Sequence, residues 1–356
     1  MKPGMLLIRA DAGSVIGTGH VMRCLALAQA WQDAGGTVTL AAAELPAALH
    51  PRLEAEHVAV TGITAASGSL EDALATNLLA NRTGASWIVI DGDRFSSEYL
   101  EHVRGRGVRI LLVDDLLADD LLSQDFAARK SFPADLIVNP NLDEASEAYE
   151  NRSAGAAVCA GPSYILLRRE FQQAAREQAT RERNTRETGN RILVTLGGSD
   201  PDGMTLKIAA ALANCPGMEV TALAGAGYAS VDELQTLSNV RILVNTPKIA
   251  QCMLESDIAI IAAGGTLWEL LSTRCAVLSY SRNAVQARIV RVLAERGMIR
   301  NLGKTREFAP APLVAAIQQL AGCPKALAEM TALGATLVDG RGASRVVATM
   351  LRMGQR

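Results

Sequence analysis

Short apolar runs that break off into polar or glycine-bearing turns recur along this chain, each followed by a stretch with helical periodicity. MLLIRA occupies 5–10, TVTLAA 37–42, WIVID 87–91, RILLV 109–113 and LIVN 136–139. Strands that are apolar throughout must be covered on both faces, which is the condition of a parallel sheet between helical layers. Between the first two runs, Val21, Leu25, Ala28 and Trp31 recur at helical spacing. Strand–helix alternation of this kind makes the chain α/β.

The pattern starts again in the second half. Strands are expected at 191–196, 218–224, 240–244, 258–262 and 276–279, and helices at 204–213, 249–255, 267–272, 287–296, 313–320 and 344–353. The segment EFQQAAREQATRERNTRETGN, 170–190, is charged and nearly free of large apolar side chains after Phe171. It reads as a solvated helix followed by a linker. A length of 356 residues also makes two domains the default. The expected architecture is two Rossmann-like domains facing across a cleft. The first covers 1–180, the second 190–340, and a C-terminal helix 341–356. In such sheets ligands bind beyond the carboxyl ends of the strands.

Composition narrows the partners. A formal charge of -2 gives no broad pull toward nucleic acid or an acidic membrane. The six cysteines form no CxxC pair and there are four histidines, so no metal site is expected and the thiols read as reduced. With neither a signal-peptide pattern nor an apolar stretch of 18 residues, the reading is a soluble, cytoplasmic monomer that needs no cofactor.

Three glycine-bearing turns follow strands. The first is Gly17-Thr18-Gly19-His20, at the start of a helix, where backbone amides and the positive helix end suit a ligand. A histidine there is expected as the neutral imidazole, the form a general base needs. Arg23 follows on the same helical face. Asp11, at the strand end, is a candidate to orient His20, to bind a substrate hydroxyl, or to cap the loop. The second turn is Gly197-Gly198-Ser199-Asp200, fit for a diphosphate or for a tight turn capped by Asp200.

The third is Gly264-Gly265-Thr266. Thr266 is placed to cap the next helix, and Glu269 stands at capping-box spacing from it. A carboxylate at such a loop also suits ribose hydroxyls. Asn283 and Gln286, just past a strand, can serve sugar hydroxyls or an ordinary loop. No GxSxG, GxxxxGK[ST] or HExxH motif occurs, and no loop carries the full GxGxxG.

Taken in order, RADAGSVIGTGHVMRCLALA, VIDGDRF, LLVDDL, IVNPNL, GPSYILLRREF, ILVTLGGSDP and AGGTLWELL resemble a known family. It is the family of UDP-2,4-diacetamido-2,4,6-trideoxy-β-L-altropyranose hydrolases of pseudaminic acid biosynthesis, with its relatives among spore-coat polysaccharide proteins. The resemblance implies a GT-B type fold and hydrolysis of a UDP-sugar. It implies His20 as the catalytic histidine of a G-x-G-H-x-x-R motif, Glu269 as a nucleotide contact and Asn283 as an active-site asparagine. One position departs. The family commonly carries a histidine–tyrosine pair after the strand ending in aspartate, and Asp93 stands here in the tyrosine's place, in Asp91-Gly92-Asp93.

Overall fold

The computed structural model describes residues 3–13, 16–105, 107–115, 133–141, 149, 155–180, 189–198, 200–225 and 227–354. The chain forms two compact units. One joins Met1–Arg169 to Gly340–Arg356, and the other is Glu170–Asp339.

In the first unit the strands are β1 (Met5–Ala10), β2 (Thr37–Ala42), β3 (Ala59–Gly62), β4 (Ala85–Asp91), β5 (Arg109–Val113), β6 (Leu136–Asn139) and β7 (Ala157–Ala160). They lie in the order β3-β2-β1-β4-β5-β6-β7, and every pairing is parallel. Leu6 and Ile8 face one layer with Trp31 and Trp87, while Leu7 faces the other with Ile88 and Ile90. That double burial is why the central strands read as unbroken apolar runs. The periodicity does not reveal β3 and β7. Both are four-residue edge strands, AVTG and AVCA, with most positions partly exposed, so neither needs a strongly apolar sequence.

Helix α1 (Gly19–Asp33) follows β1 and is buried along most of its length. The C-terminal helix Gly342–Gly354 packs on α1. It buries Ala343, Val346, Val347 and Met350, spaced as one helical stripe, in the same core as Trp31. Its first residue, Gly342, also lies against the backbone at Ile165, where a Cβ would stand 2.1 Å from the carbonyl oxygen.

The second unit has β8 (Arg191–Thr195), β9 (Glu219–Ala224), β10 (Val240–Val244), β11 (Ile258–Ala262), β12 (Ala276–Ser281) and β13 (Arg300–Lys304), in the parallel order β10-β9-β8-β11-β12-β13. The polar edge strand β13, RNLGK, and the helix Pro324–Leu337 are additions to the sequence reading. That helix buries only Leu327 and Gly334, too little for a clear apolar stripe. The charged stretch begins as a helix, Arg169–Thr180, and the division between units falls at its first residue. Arg169 is structural: it pairs with Asp33 and Glu56. No described helix is long and apolar enough to cross a membrane.

Candidate active site

Both sheets share a strand order in which the connections reverse direction between two neighbouring strands. The reversal falls between β1 and β4 in one unit and between β8 and β11 in the other. At the carboxyl end of such a pair the loops diverge and leave a crevice.

In the first unit, β1 runs into a loop that closes on itself: Gly13 and Gly17 exchange backbone hydrogen bonds of 3.1 and 2.8 Å. Gly17 has φ +74°, which glycine adopts without strain. α1 then starts at Gly19, and Thr18 makes no side-chain cap, so the first amides of the helix keep their donor capacity. Among the described residues, a Cβ on Gly17 or Gly19 would meet nothing within 4 Å. Space therefore lies over both glycines.

His20 is half-buried on the first turn. Its ring borders the end of β4: a Cβ built on Gly92 would stand 3.7 Å from His20 Nδ1 and 3.0 Å from Phe95. Among the described residues no hydrogen bond holds the imidazole. One turn on, Arg23 forms a double clamp. Its Nε and Nη2 donate to the buried Asp91 at 2.6 and 2.5 Å, and its Nη1 donates to both oxygens of Asp115 at 2.6 and 2.7 Å. Burial pushes the Asp115 carboxyl up, but Arg23, and then His20, bring it below the ordinary carboxylate range. Asp91 also accepts a hydrogen bond from the Cys24 thiol at 3.3 Å.

Asp11 does not orient His20. Its carboxylate accepts Arg9 Nη1 at 2.7 Å, the Ser67 hydroxyl at 2.5 Å and the amides of Ala43 and Glu44 at 2.7 and 3.1 Å. Of the alternatives for Asp11, loop fixation is the one its contacts fit. Arg9 is fully buried and also donates twice to Asp72, at 2.9 and 2.8 Å, with its guanidinium 4.9 Å from the Phe95 ring centroid. One buried cation thus ties together the loops after β1, β2, β3 and β4, and its neighbour Phe95 reaches the Gly92 turn beside His20. Sequence reasoning passed over Arg9 and Asp72; the available signal was a charged residue inside an otherwise apolar strand. Asp91 and Asp115 lie within quoted motifs but were not singled out. Asp93 is exposed just past Gly92.

In the second unit, Gly197 follows β8 with φ +99° and open space where a side chain would stand. Gly198 packs on the loop after β9, where a Cβ on Gly225 would lie 2.4 Å from Gly198 Cα. Ser199 lies outside the described residues. Asp200 is buried; it accepts the Thr205 amide at 2.6 Å and meets Arg282 at 3.4 Å, so it shapes the turn. Arg282, another residue passed over, also donates to the Leu196 carbonyl at 2.5 Å and fixes the loop leaving β8.

Thr266 is not the cap expected of it. The helix Gly265–Ser272 begins two residues earlier than expected, with extended Gly264 at the N-cap and no side-chain cap. The first turn closes from the Leu267 amide to the Gly264 carbonyl at 3.0 Å. No Thr266–Glu269 capping box therefore forms, and the amides of this helix start at the β8/β11 crevice. A Cβ on Gly265 would meet nothing within 4 Å. Glu269 is half-buried farther along the helix. Asn283 is the N-cap of the helix Ala284–Glu295 and accepts the Gln286 amide at 2.9 Å, while Gln286 Oε1 accepts the Arg282 amide at 2.8 Å. Both side chains thus have local roles, and among the described residues no hydrogen bond uses the Asn283 NH2 group.

No family model matches the chain. The UDP-2,4-diacetamido-2,4,6-trideoxy-β-L-altropyranose hydrolase of Campylobacter jejuni is 27% identical over 78% of the chain and 92% of that protein. The spore coat polysaccharide biosynthesis protein SpsG of Bacillus subtilis is 28% identical over 53% of the chain, and the match spans 57% of that relative's length. Among solved structures, MurG of Acinetobacter baumannii superposes with a TM-score of 0.64 at 16% identity, covering 98% of this chain and 99% of that one. By sequence the chain therefore resembles this hydrolase family and its spore-coat relatives, and by fold it is a two-Rossmann-domain protein of the GT-B type.

Proposed function

We propose that the chain is an enzyme acting on a nucleotide sugar: it hydrolyses the anomeric C–O bond of a UDP-linked amino-deoxy sugar, with His20 as general base. The observation that carries this reading is His20 itself. It stands at the β1/β4 crevice beside Gly92, with open space over Gly17 and Gly19 and no hydrogen bond among the described residues to occupy its ring. The named activity of the Campylobacter relative supplies the substrate class.

In this reading the second unit holds the nucleotide. The amides around Gly197, Gly198, Gly264, Gly265 and Thr266 face the diphosphate, and Glu269 accepts hydrogen bonds from the ribose. Asn283 offers its NH2 group to the sugar. His20 takes a proton from water as the water oxygen bonds to the anomeric carbon. The C–O bond to the diphosphate breaks, its electron pair leaves with UDP, and configuration inverts. The diphosphate needs no separate acid, since helix N-termini stabilise its developing charge.

A second reading keeps the base and changes the acceptor to an alcohol. What supports it is the GT-B type fold; the Asp93 departure belongs to a third reading, a nucleotide-sugar binding protein without turnover, which tight binding with no product would favour. Incubation with UDP-, GDP- and CMP-sugars in ¹⁸O-water, with and without candidate alcohols, separates the first two by mass spectrometry. Label on the free sugar is the expected result. Label on phosphate excludes attack at carbon, and a glycosylated alcohol in preference to free sugar selects the transferase.

A further inference from the structure

We propose that the outer face of the helix Leu70–Thr83 is a contact surface for a second copy of this chain, the two helices pairing antiparallel about a two-fold axis. The proposal replaces the monomer expected from the sequence and does not depend on the chemistry of His20. Its basis is that this helix is inside out. The side chains it buries are Asp72, Ala73, Thr76 and Ala80. Ala73 and Ala80 lie in the core with Ile88 and Ile90, and Asp72 holds the buried Arg9. Of its four leucines only Leu79 packs against that core. Leu70, Leu74 and Leu78 point outward, at 49%, 54% and 58% exposure. A surface helix ordinarily turns its leucines inward. Residues four apart stack on one face, so these three form one continuous stripe. They are half of the six large apolar side chains exposed among the described residues. Scattered exposed leucines are ordinary, whereas a contiguous stripe marks a contact surface.

The charges select the occupant. Glu71 in the first turn and Arg82 in the last are both exposed and flank the leucines. Among the described residues neither side chain has a hydrogen-bond or ion-pair partner. A face with an acid at one end and a base at the other complements its own reverse, as an isologous contact requires. With the two-fold axis at the level of Thr76, Leu74 meets the partner's Leu78 and Leu78 meets the partner's Leu74. Glu71 then lies about 1.5 Å along the helix axis from the level of the partner's Arg82, and the two helix dipoles run in opposition. Both ends of the helix are fixed: the Ser69 hydroxyl accepts the Asp72 amide at 3.2 Å, and Gly84 closes the last turn with φ +65°. A lipid surface fits less well. Faces that bind lipid headgroups are rich in Lys and Arg, but Arg82 is the only basic residue of this helix, and the helix packed on it, Ser97–Val103, exposes Glu98 and Glu101. One helix face buries less than the interface of a permanent dimer, so the association is concentration-dependent.

Sedimentation equilibrium of the full chain over a wide concentration range tests this without substrate. The parent should pass from monomer to dimer as concentration rises. Leu74→Glu should weaken the association at least about 30-fold, because two half-exposed leucines leave each interface. Glu71→Arg should weaken it about 10-fold by setting like charges at both ends, and adding Arg82→Glu to that variant should restore the parent value. The substituted positions are exposed, so the variants should fold, which thermal melting checks; Leu78→Glu stands in for Leu74→Glu if that variant does not. A parent that stays monomeric up to its solubility limit overturns the proposal. So does a dimer that survives both leucine variants, which places the interface elsewhere, and so does a double charge reversal that fails to restore pairing. Binding of the monomer to phosphatidylglycerol-containing vesicles that is lost in Leu74→Glu, with no dimer at any concentration, assigns the stripe to a membrane and likewise overturns it.

Discussion

At the residue scale, two charged clusters divide the labour in the first unit. The cluster around Arg9 is closed: fully buried Arg9 and Asp72 satisfy one another, with Asp11 and Ser67 completing the set. Asp72 accepts two hydrogen bonds from buried Arg9, and an asparagine amide cannot accept both, so Asp72→Asn should destabilise the protein by about 1–3 kcal/mol through the buried donor left unsatisfied, read as a lower urea midpoint. Asp11 adds a pH signature. Burial raises its carboxyl, and Arg9, Ser67 and the Glu44 amide outweigh that and hold it low. A group depressed in the folded state stabilises above its unfolded pKa of about 3.9 and loses that contribution as pH falls through the folded value. Asp11→Asn should therefore be less stable at neutral pH and lose less stability than the parent on acidification below about pH 4. The cluster around His20 is open, and its variants should affect rate more than folding. His20→Ala should lower kcat by about 10²–10⁴-fold with thermal stability nearly unchanged, and normal turnover in that variant would remove the base from His20. The charges of both clusters were present in the sequence, but a linear reading cannot pair Arg9 with Asp72, 63 positions away, or Arg23 with Asp115, 92 positions away.

Among the elements, the turns decide where chemistry is possible. Where two backbones meet, glycine is obligatory, as at Gly225 against Gly198 and Gly342 against Ile165; where a ligand is proposed, as over Gly17, Gly19, Gly197 and Gly265, the space is open. Sequence alone does not distinguish the two uses, since Gly225 and Gly197 both appear as a glycine after a strand. The helix starts were similarly ambiguous. Thr266 at capping spacing turned out to sit inside its helix, whereas Asn283, read as a sugar contact or a plain loop, is a cap. That double position gives Asn283 a separable prediction. Asn283→Asp keeps the capping oxygen and should preserve stability, whereas Asn283→Ala should cost about 1 kcal/mol. Loss of activity in the Asp variant at full stability assigns the NH2 group to the sugar. Full activity in that variant confines Asn283 to capping.

For the whole molecule, the repetition of strand–helix alternation in both halves was the most legible property, because central parallel strands must be apolar throughout; the strand order shared by the two sheets was not legible. Edges and boundaries were less so: β3, β7 and β13 are short or polar, and the last helix gave no sign in its sequence of which unit it joins. It joins the first, through Ala343, Val346, Val347 and Met350. A chain ending at Asp339 should therefore lose the cooperative unfolding of the first unit while the second keeps its own, seen by hydrogen exchange as protection confined to 190–339. Full protection of β1 and β4 in that shortened chain would show the helix to be dispensable. The order of synthesis gives this tethering a further consequence. On the ribosome the segment that completes the first unit is translated only after all of the second, so the nascent first sheet waits with the α1 face uncovered while its neighbour folds, and chaperone engagement should peak in that interval.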